Sequence, residues 1–409
     1  MNLIRLITVF LLRRSISGLA GQGATAMLRL YGLPLGLFVL PLMATAQQQV
    51  PGTIVDHSPK SSGRYIGSPS LCVLPDGSYL ASHDYFGPNS QEKTAGIVKV
   101  FHSRDKGASW SPIAELNGQY WSKLFAHHGK VYILGTSKEY GDLVIRRSDD
   151  GGHTWTTPSD PLHGLLRTGR FHCAPTPVIE HNGQLWRAIE DAMGPVAGWG
   201  KSFQAVMMHI PVDADLLQAS NWRYASPLPY DSSYLNGKFG GWLEGNAVVA
   251  PDGAIRNILR VHFVQKGSEK AAIATLSADG ASAAFDPSAG FVEFPGGAKK
   301  FSIRYDKSSK RYWTLSNYVP QEYENNNQER VRNTLALCSS ADLHTWQVER
   351  IVLQSTNTGH HGFQYADWQF EGRDIIAVIR TAYDDAEGGA DNQHNANYLI
   401  FHRIDNYRK

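Results

Sequence analysis

The chain has 409 residues, of which 42% are hydrophobic and only 19% charged, with a formal net charge of +2. These proportions exclude global disorder and long solvated helices, and the balanced charge carries none of the basic footprint of a nucleic-acid binder. The 39 Gly, 18 Tyr, 16 Phe and 10 Trp point to many short strands joined by tight turns.

In chain order, the first element is a processing segment. Leu33–Met43 is an apolar run, Arg29 supplies its positive flank, and Ala44-Thr45-Ala46 is a small-x-small cleavage site. Residues 1–46 therefore read as a targeting segment, cleaved near Ala46 and implying export to the periplasm or the medium. A second apolar run and the Arg13-Arg14 pair precede Met27, which is expected to be the true start; a lone membrane anchor is the alternative reading. No other stretch offers the ~18 apolar residues that cross a bilayer, so the mature protein is expected to carry no membrane span. Residues 47–409 read as one catalytic domain, expected to act as a monomer. Cys72, Cys173 and Cys338 lie far apart and read as buried small hydrophobes; Cys173 beside His172 is the one pair with zinc-ligand chemistry. The sequence requires no cofactor and displays no metal-ligand motif, but leaves room for a structural Ca²⁺ or Zn²⁺.

From Ser70 onward one unit recurs at intervals of roughly 50–70 residues: an apolar run, a tight turn, a second apolar run, then another hairpin. The first turns are Pro75-Asp76-Gly77, His127-His128-Gly129, His181-Asn182-Gly183, Pro251-Asp252-Gly253, Asp306-Lys307-Ser308 and Glu371-Gly372. The second hairpin carries the pattern S-x-D-x-G-x-x-W in Ser103–Trp110 and Ser148–Trp155, with a copy one residue short in Ser340–Trp346. Its Asp caps turn N–H groups, its Gly takes a positive φ, and its Trp packs between sheets. Six four-stranded units, about 69–115, 121–158, 175–228, 246–294, 299–353 and 363–404, predict an all-β fold, a single β-propeller with these boxes on the bottom face. A seventh blade could hide in the longer third or fourth unit. Thr53–His57 is expected to complete the last blade beside Tyr398–Arg403.

Propeller topology assigns the chemistry to the opposite, top face, where second strands leave and first strands enter. The bottom turns demote His127, His128, His181, His153 and His344. The top gathers His83, Asp84 and Tyr85; Trp121 and Lys123; Tyr140; Arg170 and His172; Trp242 and Glu244; Arg260; and Arg380 and Tyr383. Arginines from several blades suit a carboxylate, and Trp121, Trp242, Tyr85 and Tyr383 suit sugar rings, so an acidic oligo- or polysaccharide is the expected partner. Two chemistries compete. In β-elimination, His83, His172, Arg170 and Tyr140 supply the base, the acid and the carboxylate-neutralising group, with Trp121, Lys123, Trp242, Glu244, Arg260, Arg380 and Tyr383 binding substrate. In hydrolysis, Arg260 with Arg304 or Arg380 holds a carboxylate, a Tyr–Glu pair of Tyr383 and Glu244 is the nucleophile, and Asp84 is the acid. A carbohydrate-binding propeller without catalysis is the third class.

The boxes resemble the Asp-box of the sialidase-like propellers, and the spacing of Glu244 and Arg260 is similar to the pattern of that group. Against it, Gly63-Arg64-Tyr-Ile-Gly-Ser-Pro69 departs from the Arg-Ile-Pro motif of sialidases, which weakens sialic acid as substrate. Leu80–Pro88, Gly240–Asn246, Pro295–Lys300 and Asn395–His402 resemble the exported propeller enzymes that cleave L-rhamnosyl-(1,4)-glucuronate ends of plant gums, relatives of the ulvan lyases. That resemblance implies a seven-bladed propeller, an active-site His at His83 or His172, and cleavage at a rhamnose–uronate linkage by a lyase or by an α-L-rhamnosidase.

Overall fold

The computed structural model describes residues 49–263 and 265–409, so the expected targeting segment and the Met27 start lie outside the described residues. Six antiparallel sheets form a six-bladed β-propeller. Blades 1 to 5 run in chain order from an inner to an outer strand. In blade 1 these are Ser70–Val73, Tyr79–Phe86, Ile97–Ser103 and Ser111–Asn117. No seventh blade is present among the described residues. The extra length of the third and fourth units lies in loops and in split strands: the inner strand of blade 3 is broken into Phe171–His172 and Ile179–His181. The last blade is closed by Thr53–His57, which pairs with Tyr398–Ile404 as expected.

Alternation along each strand sends side chains into the seams between blades, so the core is a set of wedges rather than one centre. Leu80, Val98 and Leu116 of blade 1 meet Leu124 and Ile133 of blade 2. Tyr79 and Leu71 of blade 1 meet Ile376, Val378 and Val55 of blade 6. The boxes sit on the bottom turns. Ser103 Oγ donates to Asp105 Oδ1 at 2.9 Å and accepts from Gly107 N at 2.8 Å, and Ser148, Asp150 and Gly152 repeat the arrangement. In the shortened copy Leu343 takes the glycine's place at φ 70°. A fourth, weaker copy, Ser277-Ala-Asp279-Gly280, shows the same Ser-to-Asp bond at 2.7 Å. All three cysteines are buried and unpaired, as expected.

The central channel is polar. Lys123 of blade 2 and Asp367 of blade 6 form a buried ion pair across it, and Asp367 also accepts from Leu71 N at 2.7 Å. Removing one partner from such a pair leaves an uncompensated charge, at about 3–5 kcal/mol.

Candidate functional site

At the top of the channel lies a cavity of about 250 Å³. It is built by one device used three times. The inner strands of blades 2, 4 and 6 are Tyr120–His127, Gly241–Val249 and Gly362–Glu371. Each breaks register near its top: between Tyr120 and Lys123, between Leu243 and Asn246, and between Gln364 and Asp367. The first residue of each bulge is left-handed without being glycine: Trp121 at φ 43°, Glu244 at 51° and Tyr365 at 56°. Each such residue costs on the order of 1–3 kcal/mol, the kind of strain that gathers at functional sites. The bulge turns one large side chain out of the sheet's alternation and towards the cavity.

A bulge frees backbone groups from the ladder, and here the preceding blade supplies a buried charged side chain to take them. Asp84 of blade 1 accepts from Trp121 N at 2.6 Å. Glu190 of blade 3 accepts from Gly245 N at 3.0 Å. Lys300, entering blade 5, donates to Ala366 O at 2.8 Å and Tyr365 O at 3.5 Å.

The Tyr365 hydroxyl donates to Glu244 Oε1 at 2.7 Å, while Arg260 Nη1 donates to Glu244 Oε2 at 3.0 Å and stands 3.5 Å from the same hydroxyl. Burial raises the Tyr365 phenol, and the Glu244 charge adds to the effect. Burial would also raise Glu244, but Arg260, then His172, bring it below the usual carboxylate value. Two further guanidinium groups act on the phenol. Arg380 lies 4.9 Å from the Tyr365 ring centroid. Arg332 is held by Gln364 Oε1 at 2.9 Å and by Glu329 O at 3.0 Å, and burial lowers it to about 10. Tyr365 is thus a phenol hydrogen-bonded to an ionised carboxylate, with three arginines around it.

Asp84 approaches from blade 1. Its oxygens accept from Ser68 N at 2.7 Å and from Trp121 N, yet burial outweighs these bonds and pushes its carboxyl up to about 6. The close approach needs Gly67, where a Cβ would stand 1.7 Å from Asp84 Oδ1. The remaining wall is aromatic and acidic. The Trp121 ring meets His172 at 4.5 Å and Tyr140 at 5.2 Å, edge to face. His172 Nδ1 lies 2.7 Å from Glu190 Oε2, and Tyr120 donates to Glu92 Oε2 at 2.9 Å. Phe86, Glu139, Trp199 and His394 complete it. Among the described residues no group of three His, Cys, Asp or Glu side chains could hold a metal ion, and no helix is long and apolar enough to cross a membrane.

Of the side chains expected from sequence, His172, Tyr140, Trp121, Glu244, Arg260 and Arg380 line this cavity, as does Asp84. The others do not, Tyr85 among them, whose hydroxyl donates to Asp56 Oδ2 at 3.1 Å. His83 has no exposed surface; its ring nitrogens lie 2.9 Å from Asp56 Oδ2 and Asp84 O, because adjacent residues on a strand face opposite ways and Asp84 takes the inward direction. Trp242 lies in the regular part of its strand, opposite Val261, and packs among Tyr234, Phe239, Phe285 and Phe291. Lys123 lies beyond its bulge and is committed to Asp367. Tyr383 stacks on His361 at 4.0 Å, and Arg170 is exposed, 5.6 Å from the Tyr140 ring centroid. Arg304, the other clamp candidate, donates to Trp368 O at 2.6 Å, away from the cavity lining. Sequence reasoning missed Tyr365 and Arg332. The signal for Tyr365 was its repeat position: Tyr365-Ala366-Asp367 matches Trp121-Ser122-Lys123 and Glu244-Gly245-Asn246, each a large residue, a small one and a polar one.

No family model and no curated protein matches the sequence. Solved structures match the fold. An α-L-arabinofuranosidase of Fusarium graminearum, as a mutant in complex with an iminosugar inhibitor, superposes with a TM-score of 0.57 at 12% identity, over 87% of this chain and 97% of that one. A protein of unknown function from Dyadobacter fermentans gives 0.56 at 13% identity, over 87% and 100%. A microbial sialidase, Hz136, gives 0.55 at 14% identity, over 87% of this chain and 68% of that one. At such identities the likeness is one of architecture: the chain shares the β-propeller fold with these proteins.

Proposed function

We propose that the protein is an exported glycoside hydrolase that removes a terminal sugar bearing a carboxylate at its anomeric carbon, as a sialic acid does, with retention of configuration. The carrying observation is the Tyr365–Glu244 hydrogen bond ringed by Arg260, Arg332 and Arg380. The arginines hold the substrate carboxylate. A carboxylate nucleophile would be repelled by that group, whereas a phenol passing its proton to Glu244 attacks without a net negative charge of its own. The Tyr365 oxygen bonds to the anomeric carbon as the glycosidic bond breaks, and Asp84 protonates the departing oxygen. Ionised Asp84 then takes a proton from water, which displaces Tyr365, and Glu244 returns the phenol's proton. Arg380, from the second strand of blade 6, supplies a cation for the clamp even though the Arg64 segment departs from Arg-Ile-Pro. The sialidase and arabinofuranosidase folds agree with a glycoside-active propeller. Residues 47–409 are read as the catalytic domain, exported after cleavage near Ala46.

The second reading is elimination at a rhamnose–glucuronate linkage. It draws on His172 and Tyr140, which meet Trp121 in the same cavity, and on the segments that resemble the gum-cleaving enzymes. One experiment separates the two. Purified protein is given an aryl α-sialoside and, in parallel, a rhamnosyl-glucuronate gum, followed for free sugars and for the ultraviolet absorbance of an unsaturated uronate. Free sialic acid supports hydrolysis. Rising absorbance establishes the lyase and removes Tyr365 as nucleophile. Free rhamnose without absorbance keeps hydrolysis but changes the sugar.

A further inference from the structure

We infer that the cavity is continued outward by an apolar subsite on the loop between Gln184–Asp191 and Gln204–Pro211 of blade 3, and that the leaving group of the substrate is apolar. This rests on the proposed hydrolysis for the sugar side of the site. The segment Met193-Gly-Pro-Val-Ala-Gly-Trp199 contains no charged or hydrogen-bonding side chain except the indole of its Trp, yet it lies on the surface. Met193 is 63% exposed, Trp199 50% and Val196 37%; only eight large hydrophobic side chains are exposed among the described residues. Three of the eight fall within seven residues of one loop, and Trp199 also lines the cavity. Scattered exposed apolar residues need no explanation, but a cluster continuous with a site marks something to be covered.

The loop is held rather than loose. A Cβ on Gly200 would stand 2.6 Å from Gly240 O, and one on Gly241 would stand 2.1 Å from Gly200 O, so backbone meets backbone at the start of the strand carrying Glu244. Ser202 N donates to Gly198 O at 3.0 Å and Gly194 N to Ser202 O at 2.8 Å. The Trp199 ring lies edge to face on His262 at 4.9 Å, and His262 is itself fixed by Glu329 at 2.5 Å. The platform is therefore set before substrate arrives, and covering it loses little conformational freedom.

The test compares methyl and octyl α-sialosides, the octyl compound below its micelle concentration, on the full protein and on Met193→Ser/Val196→Ser. The expected result is an octyl-to-methyl ratio of kcat/KM of about tenfold or more, falling towards one in the double variant. Equal turnover of both glycosides by the unaltered protein overturns the subsite and leaves the hydrolysis standing. Should neither glycoside be cleaved, calorimetric binding decides: tighter binding of the octyl compound, lost in the double variant, supports the subsite while the reaction fails, and equal or absent binding overturns both.

Discussion

Replacing Asp84 by Asn separates proton donation from shape. Both carboxylate oxygens accept backbone N–H groups. An amide offers one oxygen only, so one N–H must face an NH₂ group, a loss of about 1–3 kcal/mol. Against this stands the burial of the charge. The folded carboxyl titrates at about 6, whereas an unfolded Asp titrates at about 3.9. The folded state thus keeps its proton to higher pH. That contribution to stability is complete below about pH 4 and is lost as pH rises through about 6, a span of about two pK units or about 3 kcal/mol. Asn has no such dependence. Measured by denaturant titration, Asp84→Asn should therefore gain about 3 kcal/mol relative to the parent between about pH 4 and pH 8. For catalysis, kcat/KM of the parent should fall about tenfold per pH unit above about pH 6, as the acid loses its proton. In the variant this alkaline limb should vanish. An alkyl glycoside, whose leaving oxygen needs protonation, should slow by about 10²–10⁴-fold, and an aryl glycoside by much less. Equal losses on both substrates, or an unmoved alkaline limb, would refute Asp84 as the acid.

Three other perturbations probe the rest of the site. Tyr365→Phe should lower kcat by about 10³-fold or more while costing stability only about 1 kcal/mol, since Glu244 keeps Arg260; a fluorinated substrate should label the parent at Tyr365, and a label on any other residue would exclude it as nucleophile. Lys300→Met strands the carbonyls of Tyr365 and Ala366; burial holds this ammonium down to about 7. It should lower kcat by about tenfold or more with little change in KM, and the titration near pH 7 should disappear from the kcat profile; a loss confined to thermal stability would make Lys300 merely structural. His83→Ala should destabilise the ring by about 1–3 kcal/mol, because it removes the Asp56 contact of the closing strand; a fall in kcat of more than about 10²-fold at intact stability would restore it as a catalytic acid or base.

The sequence reveals the architecture because propeller repeats write their turns in residues with few alternatives. Asp105 and Asp150 must cap, and Gly107 and Gly152 must take φ of 89° and 97°. The closing strand was legible as a partner for Tyr398–Arg403, the last strand of the sixth unit. The top face was legible as a region, and Glu244 with Arg260 as a pair within it. The inner strands were not legible residue by residue. Alternation assigns Trp242 and Glu244 the same direction, and only the bulge at Glu244 breaks that equivalence. Left-handed Trp, Glu and Tyr leave no local trace, since none of these residues prefers that conformation. The same failure hid Tyr365 and promoted Tyr383, which continues a regular strand into a seam. His83 was chosen over Asp84 on chemistry, where period-two geometry gave the inward place to its neighbour.

The three bulges and their partners divide the ring into pairs of blades: one with two, three with four, five with six. Chemistry is seated at the seams inside the pairs, through Asp84 to Trp121, Glu190 to Gly245 and Lys300 to Tyr365 and Ala366. The seams between pairs are bridged elsewhere along the strands: Asp367 of blade 6 accepts from Leu71 N of blade 1 at 2.7 Å, and Asn246 of blade 4 accepts from Ile303 N of blade 5 at 3.0 Å. Joining the closing strand to the chain's other end and opening the backbone near Gly169, between the first and second pairs, leaves all three side-chain links intact. Opening it near Gly118 parts Asp84 from Trp121 in the chain and leaves this side of the cavity to be rebuilt by docking alone.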